Sequence, residues 1–188
     1  MIKLPSIPKI KKALYADWAL RVKRRDGFEC LLCGATENLT AHHWYVCDHN
    51  AHAARYSVDN GATLCYACHI RGIHTRADYV SVRRIFGLMI GSKANLCVLQ
   101  DLSKTELTTA VYRNLWDAMR ERVIDLYPEQ IGHKGGKVFV WTKGPQEAVA
   151  GNVVRFELSG ASYVVSVVAK IESADMYRYT LKRLEEAK

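Results

Sequence analysis

Cys30-Leu-Leu-Cys33 and Cys65-Tyr-Ala-Cys68 repeat one spacing, and between them runs Leu39-Thr-Ala-His42-His43-Trp-Tyr-Val46. Each Cys-x-x-Cys knuckle presents two sulfurs from one tight turn, so the two together offer four thiolates that can close a tetrahedron around zinc. Gly34, directly after the first knuckle, helps such a turn. The 31 residues between the knuckles exceed what a minimal zinc ribbon needs, so something folded must sit there. The competing reading is a redox pair, but duplicated pairs are more economically a metal site. The expected structural zinc ligands are therefore Cys30, Cys33, Cys65 and Cys68. Cys47 and Cys97 have no partner at ligand spacing and read as small buried residues.

Working outward, Leu39 to Val46 is short and β-compatible and reads as a strand. Asn60-Gly61 is a turn signal, and Ala62-Thr63-Leu64 makes a second strand running into the second knuckle. From Cys68 to about residue 90 the chain reads as helical. Upstream, residues 9 to 24 form an amphipathic helix with Ile10, Leu14, Trp18 and Val22 at four-residue intervals, ended by Gly27. Downstream, Ser103-Lys-Thr-Glu106 has the pattern of a capping box. Leu107, Val111, Leu115, Met119 and Val123 then predict a helix of about six turns, whose stripe serves as core or as a dimer seam. After a glycine-rich break at 132 to 136 come strands at 137–142, 152–158 and 163–169, the last two a hairpin, and a closing helix at 174–186. The expected class is α+β. Its division is a basic helix plus zinc-stapled domain at 1–94, and an α+β region at 95–188 serving DNA recognition or oligomerisation.

Adjacent strand residues point to opposite faces, so His42 and His43 cannot both face one core. One imidazole can take a metal while the other meets a substrate. Cys30-x-x-Cys33, Ala41-His42-His43, Asn60 and Leu64-Cys65-x-x-Cys68-His69 together resemble the zinc-stapled branch of the HNH endonucleases, with Trp18 and Arg24-Arg25-Asp26-Gly27-Phe28 as the lead-in. The resemblance covers roughly residues 15 to 78. It implies a ββα-metal fold and a metal-dependent DNA endonuclease or nickase. By that resemblance His43 is the general base, and Asn60 fixes the local loop and orients it. His42 and His69 would hold a catalytic divalent ion (Mg2+, Mn2+ or Ni2+). His74 is the alternative to His69, disfavoured because a five-residue separation falls out of register on an α-helix. Chains of this kind occur in phages, mobile elements and restriction systems.

Composition fits this reading. Apolar residues make up 49% and charged residues 24%, which excludes disordered and collagen-like chains. No stretch approaches the roughly 20 apolar residues of a membrane span. The N-terminal stretch has lysines but no apolar core with a small-residue cleavage site, so no secretory signal is expected. A cytoplasmic protein follows, in the host-cell cytoplasm if the chain is phage-encoded. The formal charge is +8, and the first 94 residues hold 14 basic against 7 acidic residues, a balance that favours a nucleic-acid partner. Lys23, Arg24, Arg25, Arg71 and Arg76 are the candidate phosphate-binding cations. The plainer readings stay open at this point. The cations can be a solvated face, Asn60 a simple turn residue, His69 a substitute zinc ligand, and the whole unit a non-catalytic zinc-stapled DNA-binding module or an RNA-directed nuclease. A homodimer is possible.

Overall fold

The computed structural model describes residues 4–45, 52–75, 95–145, 147–156 and 161–184. The chain is a mixed α+β protein that divides into two compact units, Trp18–Tyr112 and Met1–Asp17 together with Arg113–Lys188. This division does not coincide with the 94/95 boundary expected from sequence. Helix α1 (Ile7–Arg25) begins in one unit and ends in the other. Its four-residue stripe is Ile10, Leu14, Trp18 and Val22, all buried as the periodicity predicts. Gly27 ends it with φ of +71°, a left-handed conformation that glycine adopts without steric cost.

The unit Trp18–Tyr112 is built on an antiparallel hairpin, β1 (Leu39–His43) and β2 (Gly61–Cys65), in which His42 faces Ala62 and His43 faces Gly61. Single-turn 3₁₀ segments at Ala53–Tyr56 and Val58–Asn60 lead into β2. After β2 the chain winds as a π-helix over Ala67–Ile73. The helix expected beyond Cys68 is this turn, and its continuation past residue 75 lies outside the described residues, as do Cys47, His49, Arg76, Arg83 and Arg84. Cys30, Trp44, Ala54, Ala62, Leu64, Cys65, Ile73 and Leu99 form the core. Leu99, from α2 (Leu96–Leu102), is fully buried there, which is why residues 95–112 join this unit rather than the following one. Cys97, expected to be buried, is exposed on the other side of that helix.

Helix α3 spans Thr109–Glu121, shorter than expected. Its buried face is Tyr112, Trp116 and Met119, while Val123 is 43% exposed and opens a strand. The four-residue stripe failed because each step of four residues drifts about 40° around an α-helix, so four such steps wind off any one face. The capping box is also absent. Ser103 sits at the end of α2, where its Oγ donates to the Gln100 carbonyl, and Thr108 Oγ1 accepts from Val111 N–H to start α3.

The unit of Met1–Asp17 and Arg113–Lys188 is built on a six-stranded sheet. Its strands are β3 (Val123–Asp125), β4 (Gln130–Lys134), β5 (Lys137–Lys143), β6 (Val153–Arg155), β7 (Tyr163–Ile171) and β8 (Met176–Arg183), in spatial order β3-β6-β7-β8-β5-β4. All pairs are antiparallel except β3 with β6. The glycine-rich break is half strand. Gly132 lies in β4 under the Trp141 ring, and only Gly135-Gly136, both at positive φ, make the two-residue turn into β5. The expected closing helix is instead β8. Tyr177, Tyr179 and Leu181 alternate with Met176, Arg178 and Thr180, and β8 pairs with β5 on one side and β7 on the other. A strand inserted centrally gains two ladders, and its aromatic and β-branched residues suit a pleated surface better than their helix periodicity would indicate. Val140, Leu126, Phe156, Tyr179 and Leu181 lie in its core.

Candidate metal centres

The first cluster is the four cysteines. Cys30 and Cys33 lie in a turn closed by Gly34 N–H on the Cys30 carbonyl (2.8 Å), with Gly34 itself at φ of +72°. Leu31 N–H donates to the Thr63 carbonyl (3.0 Å), which ties this turn to β2. Cys65 ends β2, and Cys68 N–H donates back to Cys65 Sγ (3.5 Å). The four Sγ atoms all lie within 4.8 Å of one another, and Cys33 Sγ is 3.7 Å from Cys65 Sγ. A tetrahedral zinc–thiolate site with bonds near 2.3 Å has sulfurs about 3.8 Å apart. The donor set fits a closed structural metal site of the kind expected for Cys30, Cys33, Cys65 and Cys68. Its electrostatics agree. Burial raises the Cys30 thiol, yet backbone hydrogen bonds at Cys65, Leu32 and Cys33 outweigh it and bring it down to about 7. Burial and the neighbouring thiols push Cys68 upward. Four thiolates at these separations need a cation among them.

The second cluster is three imidazoles. His42, on β1, is 5% exposed and meets His69 and His74 from the π-helical turn, with ring centroids 4.9 and 5.3 Å away. Ring planes cross at 60 to 80°, so the rings point their edges inward. Nε2 of His74 lies 3.0 Å from Nε2 of His69, and one nitrogen from each of the three rings lies within 4.8 Å of the others. Expecting His69 with His74 as its alternative assumed α-helical register. In the π-helix the five-residue hydrogen bond His74 N–H to His69 carbonyl (3.2 Å) brings both to the same side. Three imidazoles with room for further ligands is a donor set for Zn, Ni or Mn rather than Mg.

The surroundings prepare these rings as ligands. Burial, and then His69, His74 and His43, drive the His42 imidazole down to about 3. Burial, then His74, also lowers His69. Both are neutral at pH 7, the form that binds metal. Thr40 Oγ1 sits 2.9 Å from His69 Nδ1 and 3.4 Å from the Leu64 carbonyl. With the hydroxyl proton on Leu64, Oγ1 accepts from Nδ1–H, which leaves the His69 Nε2 lone pair on the cluster side. Thr40 did not stand out in sequence. The signal was there, since residues two apart on a strand share a face and Thr40 is two before His42.

His43 turns to the other face, as adjacent strand residues must. Its ring stacks on Trp18 at 3.9 Å and 4° between planes, and Nε2 lies 3.0 Å from the Arg55 carbonyl. Nε2 therefore carries the hydrogen, and the ring is 6% exposed. Asn60 is fully buried. Its Oδ1 accepts from Tyr45 N–H (2.9 Å) and its carbonyl from Trp44 N–H (3.1 Å), so it clamps the backbone just past His43. Trp18 Nε1 and Trp44 Nε1 donate to the Ser57 and Asp59 carbonyls in the same loop.

No protein-family model, curated protein or solved structure matches this chain.

Of the expected phosphate-binding cations, Arg24 and Arg71 are exposed and Lys23 is half-buried, its ammonium pulled down by desolvation. Arg25 is not available to a phosphate. Its guanidinium forks onto both oxygens of buried Asp26 (2.8 and 3.0 Å) and donates to the Val58 and Gly61 carbonyls (2.8 and 2.6 Å). It is a structural tie between the end of α1 and the start of β2. Arg76 lies outside the described residues.

Proposed function

We propose that this chain is a metal-dependent phosphodiesterase acting on DNA, an endonuclease or nickase of the HNH kind. The observation that carries the reading is the three-imidazole cluster of His42, His69 and His74, set beside a second, all-cysteine cluster. The two donor sets call for two ions with different roles. The cysteines would hold zinc as a cross-link that fixes β2 and the π-helical turn. A divalent ion on the imidazoles would supply charge stabilisation at the leaving oxygen of a phosphodiester.

The chain's own residues supply the rest. His42 from β1 and His69 and His74 from the π-helical turn present ring nitrogens to one point, with β2 joining the two elements, so the cluster is preorganised. Thr40 fixes the orientation of His69. His43 is the general base, with the Arg55 carbonyl holding Nε2–H so that Nδ1 is the nitrogen that takes the proton of the attacking water. Asn60 keeps the segment after His43 in place.

One observation favours a second reading, a zinc-stapled DNA-binding module without catalysis. His43 is buried against Trp18, whereas a base must reach its water. The discriminating experiment is plasmid nicking by the zinc-loaded protein with Mn2+, Ni2+ or Mg2+, beside His43→Ala and His69→Ala purified identically. Conversion of supercoiled DNA by the wild type alone is the expected result. DNA binding without conversion under any ion would establish the second reading. Equal conversion by His43→Ala with none by His69→Ala would remove His43 from the chemistry and keep the metal cluster.

A further inference from the structure

The unit of Met1–Asp17 and Arg113–Lys188 contains an open cleft of about 920 Å³ that the metal clusters do not account for. Among the described residues its charged lining is one-signed. Lys9 comes from the first turn of α1, Arg120 from α3, and Lys182 with Arg183 from the end of β8, and among the described residues no acid lines it. Lys9, Lys182 and Arg183 are exposed, and among the described residues none of the four cations is engaged in an ion pair.

A further observation points to an anion. The α1 N-terminus lines the same cleft through Ser6 and Lys9, and its first turn contains no acidic side chain to answer the positive end of the helix dipole. The wall also contains two unpartnered donors, buried beneath the cleft surface. Trp116, 6% exposed, has its indole N–H without a partner, and so does Nε of Arg120, whose guanidinium lies 5.9 Å from the Trp116 ring centre. Gly151, at φ of +102°, makes room for that ring, since a Cβ there would stand 2.9 Å from it. Four cations around an open trough, with a helix N-terminus and no compensating acid among the described residues, cost free energy through self-repulsion unless an anion shares the space.

We infer that this cleft, lined by Lys9, Arg120, Lys182 and Arg183, grips the phosphodiester backbone of a nucleic acid. Anion binding follows from the cleft itself; the choice of a polynucleotide rests on the nuclease reading above. The grip is on phosphates and carries no sequence information, because cations at the rim of an open trough reach backbone and not base edges.

The test is salt-dependent binding of the full chain to a short fluorescein-labelled DNA duplex, read by anisotropy without added divalent ion, with nicking measured in parallel. Lys182→Ala/Arg183→Ala and Arg120→Gln are compared with the wild type. The thermal midpoint of the double variant should not move, since both side chains are exposed. The expected result is severalfold weaker binding, with the slope of log affinity against log salt reduced by about 0.9 for each phosphate no longer neutralised. Unchanged affinity and slope in both variants would overturn the cleft while leaving the nuclease reading intact. No binding by the wild type would overturn it as well. Weakened binding in the variants, with no nicking by the wild type under any ion, would sustain the cleft and sink the nuclease reading.

Discussion

Nε2 of His74 reaches within 3.0 Å of Nε2 of His69 because the two residues stand five apart on a π-helical turn. On an α-helix the same spacing would put the second ring well around the cylinder from the first. That geometry lets both histidines serve as ligands of one ion. Titrated with Ni2+ or Co2+ after the cysteine site is filled with zinc, His69→Ala and His74→Ala should each lose the second equivalent. Thr40→Val, which removes only the group holding His69 Nδ1, should weaken that site about 10- to 100-fold. A π-turn is an α-turn with one extra residue, so deleting Gly72 should restore four-residue spacing and keep both imidazoles on one face. Retention of second-site binding by that deletion, and its loss on inserting a residue at 72, would establish the register argument. Full binding by His74→Ala would contradict it.

The cysteine cluster ties three parts of one small unit together: the turn at 30–34, the end of β2 and the start of the π-helical turn. Structural zinc contributes on the order of 10 kcal/mol in small metal-folded units, comparable with the whole stability of a domain. Cys33→Ser or Cys68→Ser should consequently release zinc and unfold Trp18–Tyr112, while the six-stranded sheet keeps its protection. Hydrogen exchange resolved by peptide checks this. Loss of protection throughout the chain would show that the two units fold as one.

The parts of the fold that were legible in sequence are those where chemistry or local pattern acts over a few residues. Cys30, Cys33, Cys65 and Cys68 announced a cluster by spacing alone, and Ile10 to Val22 announced a buried stripe. His42 and His43 declared opposite faces because strand geometry leaves no choice. What escaped depended on distant partners. Met176–Arg183 becomes a strand because β5 and β7 lie on either side of it, and nothing within those eight residues says so. The π-register at Ala67–Ile73 and the Trp18 stack on His43 are likewise products of packing. Arg25 looked like one of several surface cations, and only the position of Asp26 and the β2 carbonyls shows it turned inward.

That inward turn makes Arg25 and Asp26 a test of structural against electrostatic roles. Asp26 accepts from both arms of Arg25 and from Thr63 N–H (2.8 Å), and its side chain is fully buried. Removing one partner of such a pair leaves a buried charge uncompensated, at a cost of about 3–5 kcal/mol. Arg25→Ala and Asp26→Ala should each lower the urea midpoint strongly, and any loss of DNA binding should follow the loss of folded protein. Arg24→Ala and Arg71→Ala, at exposed positions, should leave the stability within about 0.5 kcal/mol of wild type and act, if at all, on the salt dependence of binding. A stable Arg25→Ala protein with a reduced salt slope would return Arg25 to the phosphate-binding set.

Gly61 faces His43 across the hairpin, and a Cβ there would stand 2.1 Å from Val22 Cγ2 and 3.1 Å from Trp18 Cζ2. Glycine is thus needed for close approach of α1 to β2, and not for backbone conformation, since φ at Gly61 is −109°. Val22 and Trp18 are both fully buried and cannot swing aside into solvent. Gly61→Ala should overpack this interface and cost about 1–3 kcal/mol. Val22→Ala alone costs a comparable amount by leaving a cavity. Combined, the added methyl occupies the space that the removed ones vacate, so the double variant should be more stable than the sum of the two losses predicts. A double-mutant cycle in urea measures that difference directly. Because Trp18 also carries the His43 ring, under the proposed nuclease function the single Gly61→Ala variant should lose nicking activity beyond its loss of stability, with ion binding at His42, His69 and His74 retained. Strict additivity in the cycle would mean that α1 moves away as a body and that Val22 is not the residue limiting its approach.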